Sequence, residues 1–224
     1  MKVTIEWYGH SYVRIITASN ARIVIDPHDG GSLNLPEFRV EADYALITHN
    51  HYDHNAVEML RGNPKVLRSF RGETSLGDAH LIGLRTYHDK ANGSIRGDNT
   101  VYILRVGPIR IAHLGDIGHL PEGEILDALK NVDVLMLPVG GVYTIDAYEA
   151  WETVELTGAK VVLPLHYWTH GSTAPLDSLD RFLEVAKAGR TRLDENRFSI
   201  TRETLESIRR TIIVMPEPRS FARE

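Results

Sequence analysis

The sequence of 224 residues contains no cysteine. This absence excludes disulfide bonds, thiolate metal ligands and a cysteine nucleophile. Long hydrophobic runs are also absent, because no segment approaches the ~20 apolar residues that a helix needs to cross a bilayer. The beginning of the chain, MKVTIEWYGHSYVRI, alternates apolar and polar side chains, which predicts a β-strand and not a signal peptide. We therefore expect a cytoplasmic protein with no membrane attachment.

An excess of basic residues is lacking as well. The chain has 25 Lys and Arg against 30 Asp and Glu, a formal net charge of -5. No global positive potential draws it to nucleic acid, so we expect a small-molecule substrate and no nucleic-acid partner. The composition, with 42% hydrophobic and 25% charged residues, is typical of a globular protein. No linker is evident, which predicts one domain over 1–224 and leaves a homo-oligomer open.

The hydrophobic pattern changes along the chain. β-type runs at 2–7, 12–17 and 22–25 predict an antiparallel meander, and further strands are predicted at 44–48, 65–68, 80–87, 100–106 and 109–113. Helices are predicted at 55–61, 121–130, 146–157 and 177–188, with strands at 133–138, 160–165 and 211–215 and a frayed tail. Asp146, Glu149 and Gly158 mark the ends of one helix. The expected fold is α/β (α+β), a four-layer αββα sandwich of two packed mixed β-sheets with helices on both outer faces.

Histidine is abundant, with eleven residues, and its densest cluster is THNHYDHN at 48–55. His49, His51, Asp53 and His54 lie there between a predicted buried strand and a helix, so four potential ligands meet where the chain turns. The ordinary alternative is that Asp53 caps the helix and the histidines are surface residues. A metal site needs more ligands than one loop can aim at it, so further candidates should follow other strands.

Such candidates are present at three later strand ends. His88 follows the strand at 80–87, Asp116 follows 109–113, and His166 follows 160–165. Strand ends at one edge of a sheet are where rigid scaffolds present functional groups from distant parts of a chain. Imidazole and carboxylate ligands suit Zn²⁺ and also Mn²⁺ or Fe²⁺.

Together these motifs resemble the metallo-β-lactamase fold superfamily, in the branch of small metal-dependent hydrolases that includes the bacterial ascorbate-6-phosphate lactonase. The resemblance covers Lys2 to about Trp168. Its elements are Gly9-His10, Ile25-Asp26-Pro27, the HxHxDH motif at 49–54, His88, Gly115-Asp116 and the LPLH sequence ending at His166.

The resemblance implies two divalent metal ions, with Zn²⁺ expected first and Mn²⁺ or Fe²⁺ as alternatives. One ion would be bound by His49, His51 and His88, the other by Asp53, His54 and His166, and Asp116 would bridge them. Asp26 would orient ligand imidazoles without touching metal, although a turn-forming Asp before Pro27 is an equal alternative. Two ions sharing a water lower its pKa to about 7 and generate hydroxide as the nucleophile. Asp53 and Asp116 are the expected catalytic carboxylates, with Asp53 orienting the water and accepting its proton.

Further polar residues are candidates for substrate contact, namely His28, Arg96, Asn99 and His170. The loop at 89–98 contains Lys90, Arg96 and two glycines, which suit an anionic group and a movable lid. His10, His80 and His113 are expected to lie in the core or to support the site, and His119 to be solvated.

The leading hypothesis is a dinuclear metal hydrolase that cleaves an ester, lactone or phosphoester in a small anionic substrate. Phosphodiester cleavage, as in nucleases of this fold, is a second hypothesis. Diiron redox chemistry is disfavoured, because that group has a glutamate where this chain has His51. A non-catalytic metal-binding module is also disfavoured, since seven ligands for two metals leave coordination positions open to water.

Overall fold

Two large mixed β-sheets form the centre of the computed structural model, which describes residues 1–222. The strands are β1 (Lys2–Trp7), β2 (Val13–Ile16), β3 (Arg22–Ile25), β4 (Val40–Glu41), β5 (Tyr44–Ile47), β6 (Leu60–Arg61), β7 (Lys65–Arg68), β8 (Gly72–Leu76), β9 (Ala79–Tyr87), β10 (Asp98–Val106), β11 (Ile109–His113), β12 (Val134–Pro138), β13 (Val161–Leu165), β14 (Gly189–Arg192), β15 (Arg197–Thr201) and β16 (Thr211–Val214). The helices are α1 (Gly123–Leu129), α2 (Ala147–Thr157), α3 (Leu179–Val185), α4 (Arg202–Ser207) and α5 (Pro218–Phe221).

The order of strands in the first sheet is β15-β1-β2-β3-β5-β7, and in the second it is β14-β16-β13-β12-β11-β10-β9-β8. Each sheet combines an antiparallel part with a parallel part. The parallel strands β3 and β5, and β11, β12 and β13, carry the loops of interest after their carboxyl ends. β1 pairs with β15 over a long sequence distance, with Thr4 opposite Ser199.

The core lies between the two sheets, and alternation along the strands places it there. In β3, Ile23 and Ile25 join the large cluster shared by both sheets, whereas Val24 points to a smaller cluster on the other face. Helix α2 packs against α3 and β12. The mixed α/β architecture with packed sheets is therefore confirmed. No helix within residues 1–222 is long and apolar enough to cross a membrane.

Helix α2 begins and ends as its sequence predicts. The Asp146 carboxylate accepts hydrogen bonds from the backbone N–H groups of Tyr148 and Glu149, at 2.9 Å each. Glu149 accepts the Asp146 N–H in return at 3.1 Å, and Gly158 ends the helix at φ 73°. This reciprocal pair satisfies N–H groups that have no partner inside the helix.

Two elements differ from the prediction. The helix predicted at 55–61 is wrong, because only a short 3₁₀ turn forms at Val57–Met59 before β6. There the Ala56 N–H bonds to the Pro27 carbonyl and β6 pairs with β4, so tertiary partners replace helical hydrogen bonds. In the tail, β14, β15 and α4 form in addition to the predicted strand. Helix α5 forms near the end that is predicted to fray, and residues 223–224 lie outside the described residues.

Candidate metal centre

Four imidazoles converge on the carboxylate of Asp116. Its Oδ2 atom lies 3.1 Å from Nε2 of His166, 3.2 Å from Nε2 of His88 and 3.3 Å from Nε2 of His54. Nε2 of His49 is 3.8 Å away. All five side chains are buried. The strand ends therefore bring together residues that are far apart in the sequence, with Asp116 at their centre.

Among residues 1–222, three sets of donor atoms are close enough together to hold a metal ion, and one of them is formed by Asp26, His49 and His54. The other two lie around the Asp116 carboxylate. One consists of His49, His51 and His88, whose donors lie within 4.8 Å of one another. The donors of the other, equally close together, belong to His10, Asp53, His54 and His166. The grouping matches the two ligand sets that the resemblance implies, with one addition. Sequence reasoning discounted His10, although the Gly9-His10 pair was itself part of the resemblance.

Asp26 holds two of the imidazoles in position. Its Oδ2 accepts a hydrogen bond from Thr48 Oγ1 at 2.6 Å and lies 2.9 Å from Nδ1 of His54. Thr48 Oγ1 is in turn 2.9 Å from Nδ1 of His49. With Nδ1 of both rings engaged, their Nε2 atoms remain for the centre. A turn-forming role for Asp26 would not by itself account for these contacts.

The electrostatics of the cluster follow from burial and proximity. Burial raises the pKa of Asp116, but His166 and His54 outweigh it and hold that pKa well below its usual range. Burial lowers the pKa of His54, but Asp116, Asp53 and Asp26 outweigh it and raise that pKa well above its usual value. Burial and the neighbouring His54 lower the pKa of His49. In the metal-free cluster these shifts favour the ionised form of Asp116 and the protonated form of His54.

The residues fit a divalent metal ion. Among residues 1–222, the buried atoms without a hydrogen-bond partner include Nε2 of His49, Nε2 of His54 and Oδ1 of Asp116. Burying such groups unpaired is costly, so they need a partner that the rest of the chain does not supply. Imidazole nitrogen and carboxylate oxygen are donors that Zn²⁺, Mn²⁺ and Fe²⁺ accept.

Two predicted substrate contacts are corrected by their hydrogen bonds. His28 is fully buried, with Nε2 3.2 Å from the Tyr8 carbonyl and Nδ1 accepting the Gly30 N–H at 3.0 Å. Asn99 is also buried, and its amide donates to Thr86 and Leu114 while Oδ1 accepts the Asp116 N–H at 3.0 Å. Neither side chain has a polar atom left for substrate. Asn99 instead fixes the backbone of the central carboxylate.

The remaining histidines differ in their burial and in their hydrogen-bond or ion-pair partners. His113 is a core residue as expected, since it contacts the Ser11 carbonyl and accepts the Gly115 N–H. His80 is partly exposed and pairs with Glu73 at 3.2 Å, and His119 is partly buried and accepts the Tyr87 N–H. The structure thus differs from the core position expected for His80 and from the solvated position expected for His119. His170 is exposed and does not line the cavity beside the centre.

A cavity of about 370 Å³ opens beside the cluster. Its wall includes ligand candidates, among them His51 and Asp53, together with Arg96, Tyr143 and an apolar part at Leu33 and 174–176. The Arg96 guanidinium lies 4.5 Å from the centre of the Tyr143 ring, a cation–π contact. Arg96 therefore lines the cavity, a position compatible with the predicted contact to substrate.

The loop that carries Arg96 is organised by one carboxylate. Oδ1 of Asp89 accepts the N–H groups of Ala91 and Gly93 at 2.7 and 2.9 Å. Oδ2 accepts those of Ile95 and Arg96 at 3.0 and 2.8 Å. These four bonds hold the loop in a defined shape, so the structure shows a braced loop where the glycines suggested a movable lid.

Comparison with known proteins agrees with this arrangement. Residues 4–166 match the family model described as a beta-lactamase superfamily domain. The chain belongs to the metallo-β-lactamase superfamily of metal-dependent hydrolases. It is similar to a protein from Saccharolobus solfataricus named UPF0173 metal-dependent hydrolase, with 29% identity over 74% of this chain and 84% of the relative. A UPF0173 protein from Pyrococcus abyssi is 31% identical over 75% of this chain and 84% of the relative.

Solved structures show the same superfamily fold. A protein from Thermotoga maritima, assigned as a Zn-dependent hydrolase of the superfamily, has a TM-score of 0.76 and 28% identity, and the match covers 95% of this chain and 98% of the other. A metallo hydrolase from Ignicoccus hospitalis has a TM-score of 0.63 and 20% identity, covering 90% and 99% of the two chains. The second likeness bears on the fold alone.

Proposed function

We propose that the protein is a dinuclear metal hydrolase that cleaves an ester, lactone or phosphoester in a small anionic substrate. One observation carries the proposal: a single cavity of about 370 Å³ joins the two donor groups to the guanidinium of Arg96. That volume suits a small molecule. It favours a compact substrate over a polynucleotide, the alternative suggested by nucleases of this fold.

Each ion has its own set of donors in this proposal. His49, His51 and His88 would hold one ion, and Asp53, His54 and His166 the other. Asp116 belongs between them because its Oδ2 lies within 3.8 Å of imidazoles from both sets. We expect Zn²⁺ as the native metal, with Mn²⁺ and Fe²⁺ as alternatives. When bound, the ions would polarise the scissile group and activate a water molecule.

Asp53 is the carboxylate that orients the water. Its side chain lines the cavity and is 16% exposed, whereas that of Asp116 is 3% exposed. Burial raises the pKa of Asp53, but His54 and a hydrogen bond from His10 outweigh burial and keep that pKa well below its usual range. The group is therefore ionised at neutral pH and can accept a hydrogen bond from water.

The wall of the cavity supports substrate recognition. Arg96 supplies a positive charge for a phosphate or carboxylate of the substrate. Leu33, Pro175 and Leu176 supply apolar surface for its uncharged part. The Thr173 N–H bonds to the Leu33 carbonyl at 3.1 Å, which joins the two segments of this apolar wall.

Metal content and turnover test the proposal together. Protein purified without added metal is analysed for elements, and then assayed with a phosphorylated lactone, a neutral lactone and bis(p-nitrophenyl) phosphate. We expect two equivalents of metal and preferred turnover of the anionic lactone. Preferred cleavage of the phosphodiester would favour the alternative hydrolase, and absence of bound metal after Zn²⁺ or Mn²⁺ is supplied would refute the centre.

A matched pair of variants tests the role of Arg96. Arg96→Ala and Lys90→Ala each remove one cation from the same loop, but only Arg96 lines the cavity. We expect Arg96→Ala to raise KM for the anionic ester selectively and Lys90→Ala to leave KM near the wild-type value. An equal effect of Arg96→Ala on charged and neutral esters would remove anion recognition from the proposal.

A further inference from the structure

His10 forms polar contacts with two ligand candidates, one through its side chain and one through its backbone, and its ring packs against two imidazoles. Nε2 lies 3.0 Å from Oδ2 of Asp53. The carbonyl oxygen accepts the N–H of His166 at 3.1 Å. The centroid of the His10 ring lies 4.1 Å from the centroid of the His166 ring and 5.2 Å from that of the His54 ring. His10 therefore touches each of Asp53, His54 and His166.

The backbone around His10 is held in an unusual conformation. His10 has φ 49°, in the left-handed region that few residues other than glycine adopt. The preceding Gly9, at φ 99°, accepts the Tyr12 N–H at 2.9 Å, and Trp7 Nε1 donates to the His10 carbonyl at 3.0 Å. Such a conformation persists where several contacts determine it together. The tight turn between β1 and β2 thus fixes where the imidazole points.

We propose that His10 is a positioning residue for the second metal site, acting through Asp53. Nε2–H donates to Oδ2 and holds the carboxylate in one orientation. The arrangement reverses the contact between Asp26 and His54, where a carboxylate holds a ligand imidazole. The side chain of His10 is 3% exposed, so water does not compete strongly for the bond. The inference rests on the two-ion centre proposed above.

Zn²⁺ binding measured against a chromophoric chelator tests this role without an activity assay. We expect His10→Ala to lower the affinity for the second equivalent of Zn²⁺ by ~10–100-fold, the usual effect of removing a group that orients a ligand. The affinity for the first equivalent should be unchanged. His10→Gln keeps an N–H donor at a similar reach and should restore most of the affinity. His80→Gln is the control, because His80 pairs with Glu73 and lies neither at the cavity nor in the turn that holds His10.

A double-mutant cycle and a spectrum separate positioning from direct ligation. If His10 acts through Asp53, then His10→Ala should cause no further loss of affinity in an Asp53→Asn background. The visible spectrum of the Co²⁺-loaded protein should be unchanged in His10→Gln. A changed Co²⁺ spectrum, with His10→Gln as weak as His10→Ala, would make His10 a ligand and overturn the proposal.

Two other results would also overturn it. Unaltered affinity of His10→Ala for both equivalents would show that Asp53 needs no support from His10. A wild-type protein that binds one equivalent only would refute the two-ion centre and the proposal with it. Failure to hydrolyse the test esters, by contrast, would bear on the proposed reaction and leave the binding result standing.

Discussion

The floor and the rim of the cavity are built by different means. The floor, formed by His88, Asp116 and His166, is buried, and Asp116 lies in contact with both imidazoles. The rim, formed by the loops at 89–98 and 141–144, exposes apolar side chains, with Ile95 73% and Val142 62% accessible. The floor is organised around charge that a cation can neutralise. The rim presents surface that can meet the rest of a substrate.

This contrast suggests a division of labour. Changes in the floor should act on metal binding and so abolish the reaction for every substrate. Changes in the rim should alter KM and preference while metal content stays the same. The two regions are joined at His88 and Asp89, adjacent residues that face the floor and the rim loop respectively.

The largest effect is expected from Asp116→Ala. It removes the Asp116 carboxylate, which contacts imidazoles of both donor groups, so we expect loss of both metal equivalents and of hydrolytic activity with the fold retained. His51→Ala should lose the ion of its own group. Elemental analysis and circular dichroism check both variants, and undiminished metal content in both would contradict the seven-ligand centre.

Metal affinity should also depend strongly on pH. Burial lowers the pKa of His54, but three carboxylates outweigh it and raise that pKa, so a proton must leave before the ring can bind metal. Affinity should fall about tenfold per unit of decreasing pH for each proton displaced. Calorimetry of metal binding at pH 7, in buffers of different ionisation enthalpy, measures the number of protons released. Identical heats in those buffers would contradict the predicted proton release.

The raised pKa of His54 has the opposite effect on the stability of the metal-free protein, which should fall as the pH rises. A folded-state pKa above the unfolded value of 6.5 gives stability that is fully present below pH 6.5. That stability is lost as the pH rises through the raised pKa of His54. Metal-free protein should therefore melt at a lower temperature in alkaline buffer, and added Zn²⁺ should reverse the trend.

A smaller loss is expected from Asp26→Asn. The carboxylate accepts the Thr48 N–H at Oδ1 and accepts from Thr48 Oγ1 and His54 at Oδ2. The amide would turn its NH2 group toward one of these donors, so the imidazoles lose orientation. We expect Zn²⁺ affinity to fall by ~10–100-fold. Asp43→Asn is a suitable control, because Asp43 pairs with Arg22 away from the cavity. Equal Zn²⁺ affinities of the two variants would remove Asp26 from the centre.

In the rim, Asp89→Ala should act on substrate binding alone. It removes four acceptor contacts from the loop and frees Arg96 from its place against Tyr143. We expect KM for an anionic ester to rise about tenfold, equivalent to one charged hydrogen bond, with metal content unchanged. Loss of metal in this variant would show that floor and rim are not separable.

The smallest effect is expected at Val142, a β-branched residue at φ 59° whose neighbours Gly141 and Tyr143 share a hydrogen bond of 2.6 Å. This conformation costs a β-branched residue of the order of 1 kcal/mol, and asparagine tolerates it better. Val142→Asn should raise Tm by ~2–4 °C. If the strained turn also places Tyr143, KM should rise in the same variant. An unchanged KM would show that the strained turn does not position Tyr143 for substrate binding.

Sequence patterns predicted the fold class and brought the ligand candidates into view, because metal-binding residue types stood directly after apolar strands. The strand before Asp116 has the predicted bounds, 109–113. The roles of His10, His28 and Asn99 could not be read in this way. An imidazole or amide has the same chemistry wherever it stands, and its role depends on which tertiary partners its nitrogens and oxygens meet.

Long-range pairing explains the other differences. The five residues of β15, RFSIT, form a strand by pairing with β1, and nothing in the local pattern shows that partner. The segment at 55–61 has apolar spacing suited to a helix, yet its backbone bonds to Pro27 and to β4. Local propensity yields where tertiary hydrogen bonds compete with it.

The pairing of β1 with β15 also bears on how the chain is made. Thr4 and Ser199 share a hydrogen bond across 195 residues, so the first strand emerges from the ribosome long before its neighbour. All the ligand candidates are translated in that interval. Non-local strand pairing is slow, and an unpaired strand edge invites association with other chains. Nascent protein should therefore be most prone to aggregate just before β15 is synthesised.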